Sequence, residues 1–351
     1  MREKYIITNT WTHARHGHAH DELLSIKNFL SFNSIQAQIL SVDYKFGDLR
    51  IRSLGRTLQN LHLHHSRIFK PLVDSSYGRD LSRGLKDSLL NEQISETSVV
   101  VTSSRFQHLL KLGDSLKAYD DIRIRILDAP KNRGDWESLA KFLSRLKNRS
   151  TVAMEVKDSV VDAEKYLDNI IYVPSHFAMQ TESVDTNKSR NKVGVFWPVG
   201  RSFSTSEVLS LLNQVKVFDP IVKLPSHMEA SSMKLLYPKI EFIEAGLGVM
   251  QFREILSRIK VAILGHRGYT NQSSGYAGYF LANNVPIFAS NSNSFFGEIK
   301  ELGLVYSLES NLDHSLGLIT KLFNGDLNLA RNPYAIFVEE SWKTFLLEEK
   351  I

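Results

Sequence analysis

Short β-rich runs alternate with runs of helical period along most of this 351-residue chain, and that alternation restricts its fold more than any other feature. "KYIITNTW" reads as a strand, "HDELLSIKNFLSF" spaces Leu23, Ile26 and Leu30 for one helical face, and "QAQILSVD" reads as the next strand. A strand, a helix and a further strand in that order make a βαβ unit, which requires a parallel sheet. Asp21 and Glu22 fall in the first turn of the helix, where carboxylates complement its dipole. The segment from Arg50 to Leu90 mixes leucines, bases and histidines without a clean period and is read as helical and basic. "SVVVTSSRF", "IRIRILDAP", "STVAMEV" and "NIIYVPSH" then resume the strands to about residue 175.

"TESVDTNKSRN", Thr181 to Asn191, lacks large apolar residues and breaks the series. A second series follows. "KVGVFWPVG" is a strand and "STSEVLSLLNQV" a helix with Ser204 and Glu207 spaced as a capping box. "DPIVKLP", "IEFIEAG", "KVAILG" and "VPIFAS" read as strands, with helices over "MQFREILSRI" and "SSGYAGYFLANN". The chain is therefore expected to be α/β, with two Rossmann-like domains facing each other across a cleft. The first spans 1–175, a linker 176–191, and the second 192–331. A terminal helix within 332–351, carrying Phe337, Trp342, Phe345 and Leu346, is expected to pack back on the first domain.

Composition excludes several alternatives. There is no cysteine, so disulfides and thiolate metal sites are ruled out, which suits a cytoplasmic protein. The longest apolar run, Tyr334 to Val338, is far below the roughly 20 residues of a membrane span, and the start has no signal-peptide pattern. The net charge of +5 resides wholly in the first half, where residues 1–175 hold 26 Lys+Arg against 21 Asp+Glu. Tyr44 to Leu90 alone carries nine bases and four acids. That segment interleaves Leu58, Leu61, Leu63 and Phe69 with Arg50, Arg52, Arg56, Arg67 and Lys70, a pattern that fits either packing against the sheet or peripheral contact with an anionic membrane. No aromatic platform or groove-reading motif points to nucleic acid.

Ligands of open parallel sheets bind beyond the carboxyl ends of the strands. Three glycine-bearing turns follow strands of the second half: "PVGRS" (198–202), "EAGLGV" (244–249) and "GHRGYTNQSSGYAG" (265–278). Glycine lets backbone N–H groups approach an anion, a helix beginning near Ser273 offers partial positive charge, and Arg201 adds a bidentate cation. These features predict a nucleotide-diphosphate site. His266 and Arg267 could reach donor phosphate or sugar, or form a surface turn.

The succession from "KVGVFWPVGRS" through "IEFIEAGLGVMQFREILSRIKVAILGHRGYTNQSSGYAGYFLANNVPIFASNSNSFFGEIKELGLVYSLES" resembles the donor-binding domain of GT-B nucleotide-sugar glycosyltransferases. "YFLANNVPIFAS" resembles the helix and x-x-P-hydrophobic strand that follow the family's phosphate loop. "FVEESWKTFLLEE" resembles its closing helix, and "NIIYVPSHF" its segment before the interdomain hinge. The resemblance implies that Gly200, Arg201, Ser273, Ser274 and Gly275 contact the donor diphosphate and that Gly246, Gly248 and Val249 lie by the nucleobase. His266, Arg267 and Tyr279 complete the implied donor wall. Asn271 and Tyr279 stand where many retaining members carry two glutamates, and "SFSTSE" stands where a lysine usually follows the arginine. The donor would be a nucleotide sugar, with no obligatory cofactor or metal, and the acceptor a glycan or lipid-linked sugar of polysaccharide biosynthesis.

"HARHGHAHDELL" sets His13, His16, His18 and His20 just after the first strand. Alternate histidines suit a divalent ion, as in a metal-dependent hydrolase, but the chain supplies no further ligands in a metal pattern. In a GT-B transferase this loop faces the cleft on the acceptor side, with Gly17 allowing close approach. His16, His18 or His20, oriented by Asp21, would then act as base toward the acceptor hydroxyl or pair with phosphate. The same residues could also merely cap the helix. A catalytically silent GT-B-like partner protein is the alternative from another class.

Overall fold

The computed structural model describes residues 4–9, 18–41, 49–50, 70–90, 97–112, 115–146, 150–155, 157–174, 190–197, 204–225, 228–243, 249–265, 275–289, 299–308, 312–325 and 332–348. Two compact units divide the chain: Met1–Met179 with Val338–Ile351, and Gln180–Phe337.

Unit 1 is built on seven parallel strands in the order β3-β2-β1-β4-β5-β6-β7. These are β1 (Lys4–Asn9), β2 (Gln36–Ser41), β3 (Leu49–Arg50), β4 (Thr97–Arg105), β5 (Asp121–Asp128), β6 (Ser150–Met154) and β7 (Ile170–Tyr172). Helices α1 (His18–Phe32), α2 (Lys70–Leu90), α3 (Phe106–Leu109), α4 (Arg133–Ser144) and α5 (Lys157–Ala163) lie between them. Within the stretch read as helical, Lys70–Leu90 is a helix, but Arg50 is not: it pairs with Ser41 at the sheet edge. Its apolar neighbour Leu49 pairs with Leu40, and two short ladder steps outweigh a weak helical period. Helix α4 shows how local pattern sets an element. Asn132 accepts the Asp135 N–H at 3.0 Å and caps it, and Trp136, Leu139, Phe142 and Leu143 recur on its buried face.

Unit 2 has six parallel strands in the order β10-β9-β8-β11-β12-β13. They are β8 (Lys192–Phe196), β9 (Ile221–Lys223), β10 (Glu241–Ile243), β11 (Ile259–Leu264), β12 (Ile287–Ala289) and β13 (Val305–Ser307). Helices α6 (Thr205–Val215), α7 (Ala230–Leu236), α8 (Val249–Leu256), α9 (Gly275–Ala282) and α10 (Leu312–Asn324) belong to it. The capping box is present: Ser204 Oγ accepts the Glu207 N–H at 3.3 Å and Glu207 Oε2 accepts the Ser204 N–H at 3.0 Å. The core on one face gathers Val193, Val195, Trp197, Leu212, Val222 and Ile263.

The last helix, α11 (Pro333–Leu347), belongs to unit 1 from Val338 onward. Its buried Trp342, Phe345 and Leu346 cover the face of the seven-stranded sheet that carries Arg123 and Arg125. Strand β5 alternates accordingly: Ile122, Ile124 and Ile126 enter the opposite core, and the arginines face the helix. Among the described residues no helix is long and apolar enough to cross a membrane.

Candidate functional site

In both sheets the strand order reverses beside the first strand of the unit, between β1 and β4 and between β8 and β11. Ligands of doubly wound folds bind at the carboxyl ends of strands at such a reversal. In unit 2 those ends are held closely together. The Trp197 N–H donates to the Lys223 carbonyl at 3.4 Å, and the Gly265 N–H donates to the Phe196 carbonyl at 2.9 Å.

Gly265, the residue after β11, has a packing reason for lacking a side chain. A Cβ there would lie 2.3 Å from Trp197 Nε1, because the buried indole fills that space. Trp197 is thus a core residue and not an exposed stacking platform.

Lys223 ends β9 and is only 2% exposed. Its Nζ lies 3.4 Å from the Trp197 carbonyl oxygen and 5.4 Å from the centroid of Tyr276, in the first turn of α9. Burial lowers its pKa, since a desolvated ammonium is disfavoured. The same desolvation pushes the Tyr276 phenol up to about 12. Tyr276, Phe196, Phe252 and Phe280 form one aromatic cluster under α9, with centroid separations between 5.1 and 6.1 Å.

Of the donor residues expected from sequence, Gly200, Arg201, Gly246, Gly248, His266, Arg267, Ser273 and Ser274 lie outside the described residues. Val249 begins α8 and Gly275 begins α9. Tyr279 lies one turn into α9, 5% exposed, with its ring edge-on to Phe252 at 5.3 Å. On the other side of the expected reaction, His16 and Gly17 lie outside the described residues, and His18, His20 and Asp21 occupy the first turn of α1. The apolar and basic positions between Arg52 and Phe69 likewise lie outside them.

One residue beyond Asp21 begins a buried charge network that the sequence did not announce. Glu22 Oε1 accepts from Arg125 Nη1 at 2.7 Å, and Glu22 Oε2 accepts from the Thr102 hydroxyl at 2.7 Å. Arg125 Nη2 lies 3.3 Å from Glu155 Oε1, Nε donates to the Val173 carbonyl at 3.0 Å, and the guanidinium stands 5.3 Å over the Trp342 ring. Thr102 lies in the switch strand β4 opposite Asn9, the last residue of β1, so the network fixes α1 against the unit 1 switch strands. The "IRIRILD" strand puts two arginines on one face of a parallel sheet, a face that such sheets bury. Among the described residues no group of three or more His, Asp or Glu side chains is arranged to hold a metal ion.

With two parallel sheets of Rossmann order and a terminal helix returning to the first, the chain has the GT-B fold, and solved structures of that architecture match it from end to end. The apo structure of OtsA superposes with a TM-score of 0.60 at 9% identity, covering 99% of this chain and 100% of the other. UDP-GlcNAc 2-epimerase from Methanocaldococcus jannaschii gives 0.59 at 12% identity, covering 98% and 99%. TarM gives 0.57 at 9% identity, covering 99% and 96%. No family model matches the sequence, and no curated protein matches it.

Proposed function

We propose that this chain is a glycosyltransferase that moves a sugar from a nucleotide-sugar donor to a glycan or lipid-linked acceptor, with no obligatory metal. The observation that carries the reading is the strand reversal of unit 2. The two strands flanking it, β8 and β11, are the two after which the sequence places "PVGRS" and "GHRGYTNQSSGYAG". Unit 2 then binds the donor through Arg201, His266, Arg267 and the backbone from Ser273 to Gly275, and the turn around Gly246, Gly248 and Val249 meets the base. Unit 1 receives the acceptor at the loop after β1. One of His16, His18 and His20 takes the acceptor proton or pairs with phosphate, supported by Asp21. The basic segment 44–90 contacts an anionic membrane surface carrying the acceptor.

A second reading, a GT-B protein that binds nucleotide sugar without transferring it, is favoured by Tyr279. It packs against Phe252 where many retaining members would present a glutamate. A thermal-shift panel of uridine, guanosine and adenosine diphosphates and their sugars, with and without chelator, tests donor binding. A chelator-insensitive rise in melting temperature supports the donor site, and a rise with zinc alone overturns it. Product analysis with the stabilising sugar then separates transfer, epimerisation of the donor and silence. His16→Ala, His18→Ala and His20→Ala should keep the donor-induced shift, and at least one should lose transfer; undiminished transfer in all three removes the loop from the mechanism.

A further inference from the structure

Among the described residues, three Lys or Arg residues are buried, and they are provided for differently. Arg123 donates to Asp121 at 2.9 Å and to the carbonyls that end α11, and Arg125 is flanked by Glu22 and Glu155. Lys223 has no carboxylate within ion-pair distance among the described residues. One carbonyl at 3.4 Å and one aromatic face serve an ammonium with three N–H donors. A buried cation without a counter-ion costs several kcal/mol as an order of magnitude, so a purely structural role would be better filled by methionine.

Its placement gives the cost a purpose. Lys223 sits at the carboxyl end of β9, next to the reversal strand β8, and beside the first turn of α9. The amino end of a helix carries partial positive charge, so two sources of positive potential converge there, with no carboxylate of the described residues paired to Lys223. From this geometry we infer that Lys223 and the amino end of α9 form an anion site that holds the diphosphate of the donor nucleotide, with Lys223 as its buried cation. The inference rests on the nucleotide-donor reading and assigns it a residue outside the glycine-bearing turns. Lys223 is buried, with the Tyr276 ring on one side of its ammonium, so its attraction to phosphate is weakly screened. Bound phosphate supplies the counter-ion that the described residues do not.

Isothermal titration of the wild type, Lys223→Met and Lys223→Arg with the best-binding nucleoside diphosphate and with inorganic pyrophosphate tests this. Loss of one charge-assisted contact predicts an affinity about 10- to 100-fold weaker in Lys223→Met for both probes, and a smaller loss in Lys223→Arg. The ligand-free melting temperature of Lys223→Met should hold or rise, since methionine removes the desolvation cost; a fall together with unchanged affinity assigns Lys223 to packing alone and overturns the inference. If the wild type binds pyrophosphate but no nucleotide, and Lys223→Met loses pyrophosphate, the anion site stands and the donor reading falls. If nucleotide binds wild type and Lys223→Met equally, the donor reading stands and the inference falls. Binding of neither probe overturns both.

Discussion

Arg125 Nη1 donates to Glu22 Oε1 at 2.7 Å, linking the fifth strand to the first helix across 103 positions of sequence with both side chains almost wholly buried. Glu155 takes the other side of the guanidinium at 3.3 Å. Removing the arginine alone takes the guanidinium away from two buried carboxylates. Arg125→Met should therefore lose about 3–5 kcal/mol of unfolding free energy, measured by urea denaturation. Replacing Glu22, Arg125 and Glu155 together by methionine should lose less than the single substitution, because no unpaired charge remains. Equal losses would show that shape, not charge balance, is what the site requires.

Trp342 is the complementary partner on α11. It lies fully buried under the Arg125 guanidinium, and its Nε1 donates to the Pro174 carbonyl at 3.1 Å. Trp342→Ala removes a large core side chain and a buried hydrogen bond, at a cost of about 3–5 kcal/mol. The loss should be local as well as global: amide exchange of 338–347 should accelerate more than that of β1 or β4. Uniform acceleration across unit 1 would deny that the helix end is an independently opening segment.

The order of strands and helices was legible because periodicity and capping are local. Leu23, Ile26 and Leu30 mark one face within eight residues, and Ser204 with Glu207 closes its own box within four. What escaped depends on distant partners. Strand "IRIRILD" reads by itself as half solvated, yet Arg123 and Arg125 are buried by a helix more than 200 positions away. Nothing near Lys223 in sequence announces that the Trp197 carbonyl and the Tyr276 ring will meet its ammonium. Gly265 reads as a backbone opening toward an anion, while its described neighbour is an indole. Arg50 belonged to a stretch with no clean period, and edge pairing with Ser41 decided its conformation.

Gly265→Ala tests the indole contact directly. The added methyl would meet Trp197 Nε1, Cδ1 and Cε2 at 2.3, 2.5 and 2.7 Å, so ring or backbone must move. Overpacking of this kind costs about 1–3 kcal/mol. Trp197→Leu removes the ring atoms Nε1 and Cε2, and in that background Gly265→Ala should cost measurably less. A double-mutant cycle on urea midpoints reads the coupling, and strict additivity would mean the glycine is required for another reason.

Alkaline pH should act on Lys223 and Tyr276 in opposite senses. Burial lowers the Lys223 pKa from 10.5, so between its native value and 10.5 the unfolded chain holds more protons than the native one. Ligand-free stability from this group therefore rises with pH in that window. Lys223→Met removes the rise, and its stability relative to wild type should be most favourable at neutral pH and converge with it toward pH 10.5. Tyr276 is raised from 10.0 to about 12, so between those values the native state keeps a proton that the unfolded chain has released. Stability from the phenol is full below pH 10 and is lost as pH climbs toward 12. Tyr276→Phe should abolish that loss while leaving the Lys223 rise in place, as read from urea midpoints across the alkaline range. If both variants track wild type at every pH, the enclosure of ammonium and phenol beside α9 is more hydrated than their burial implies.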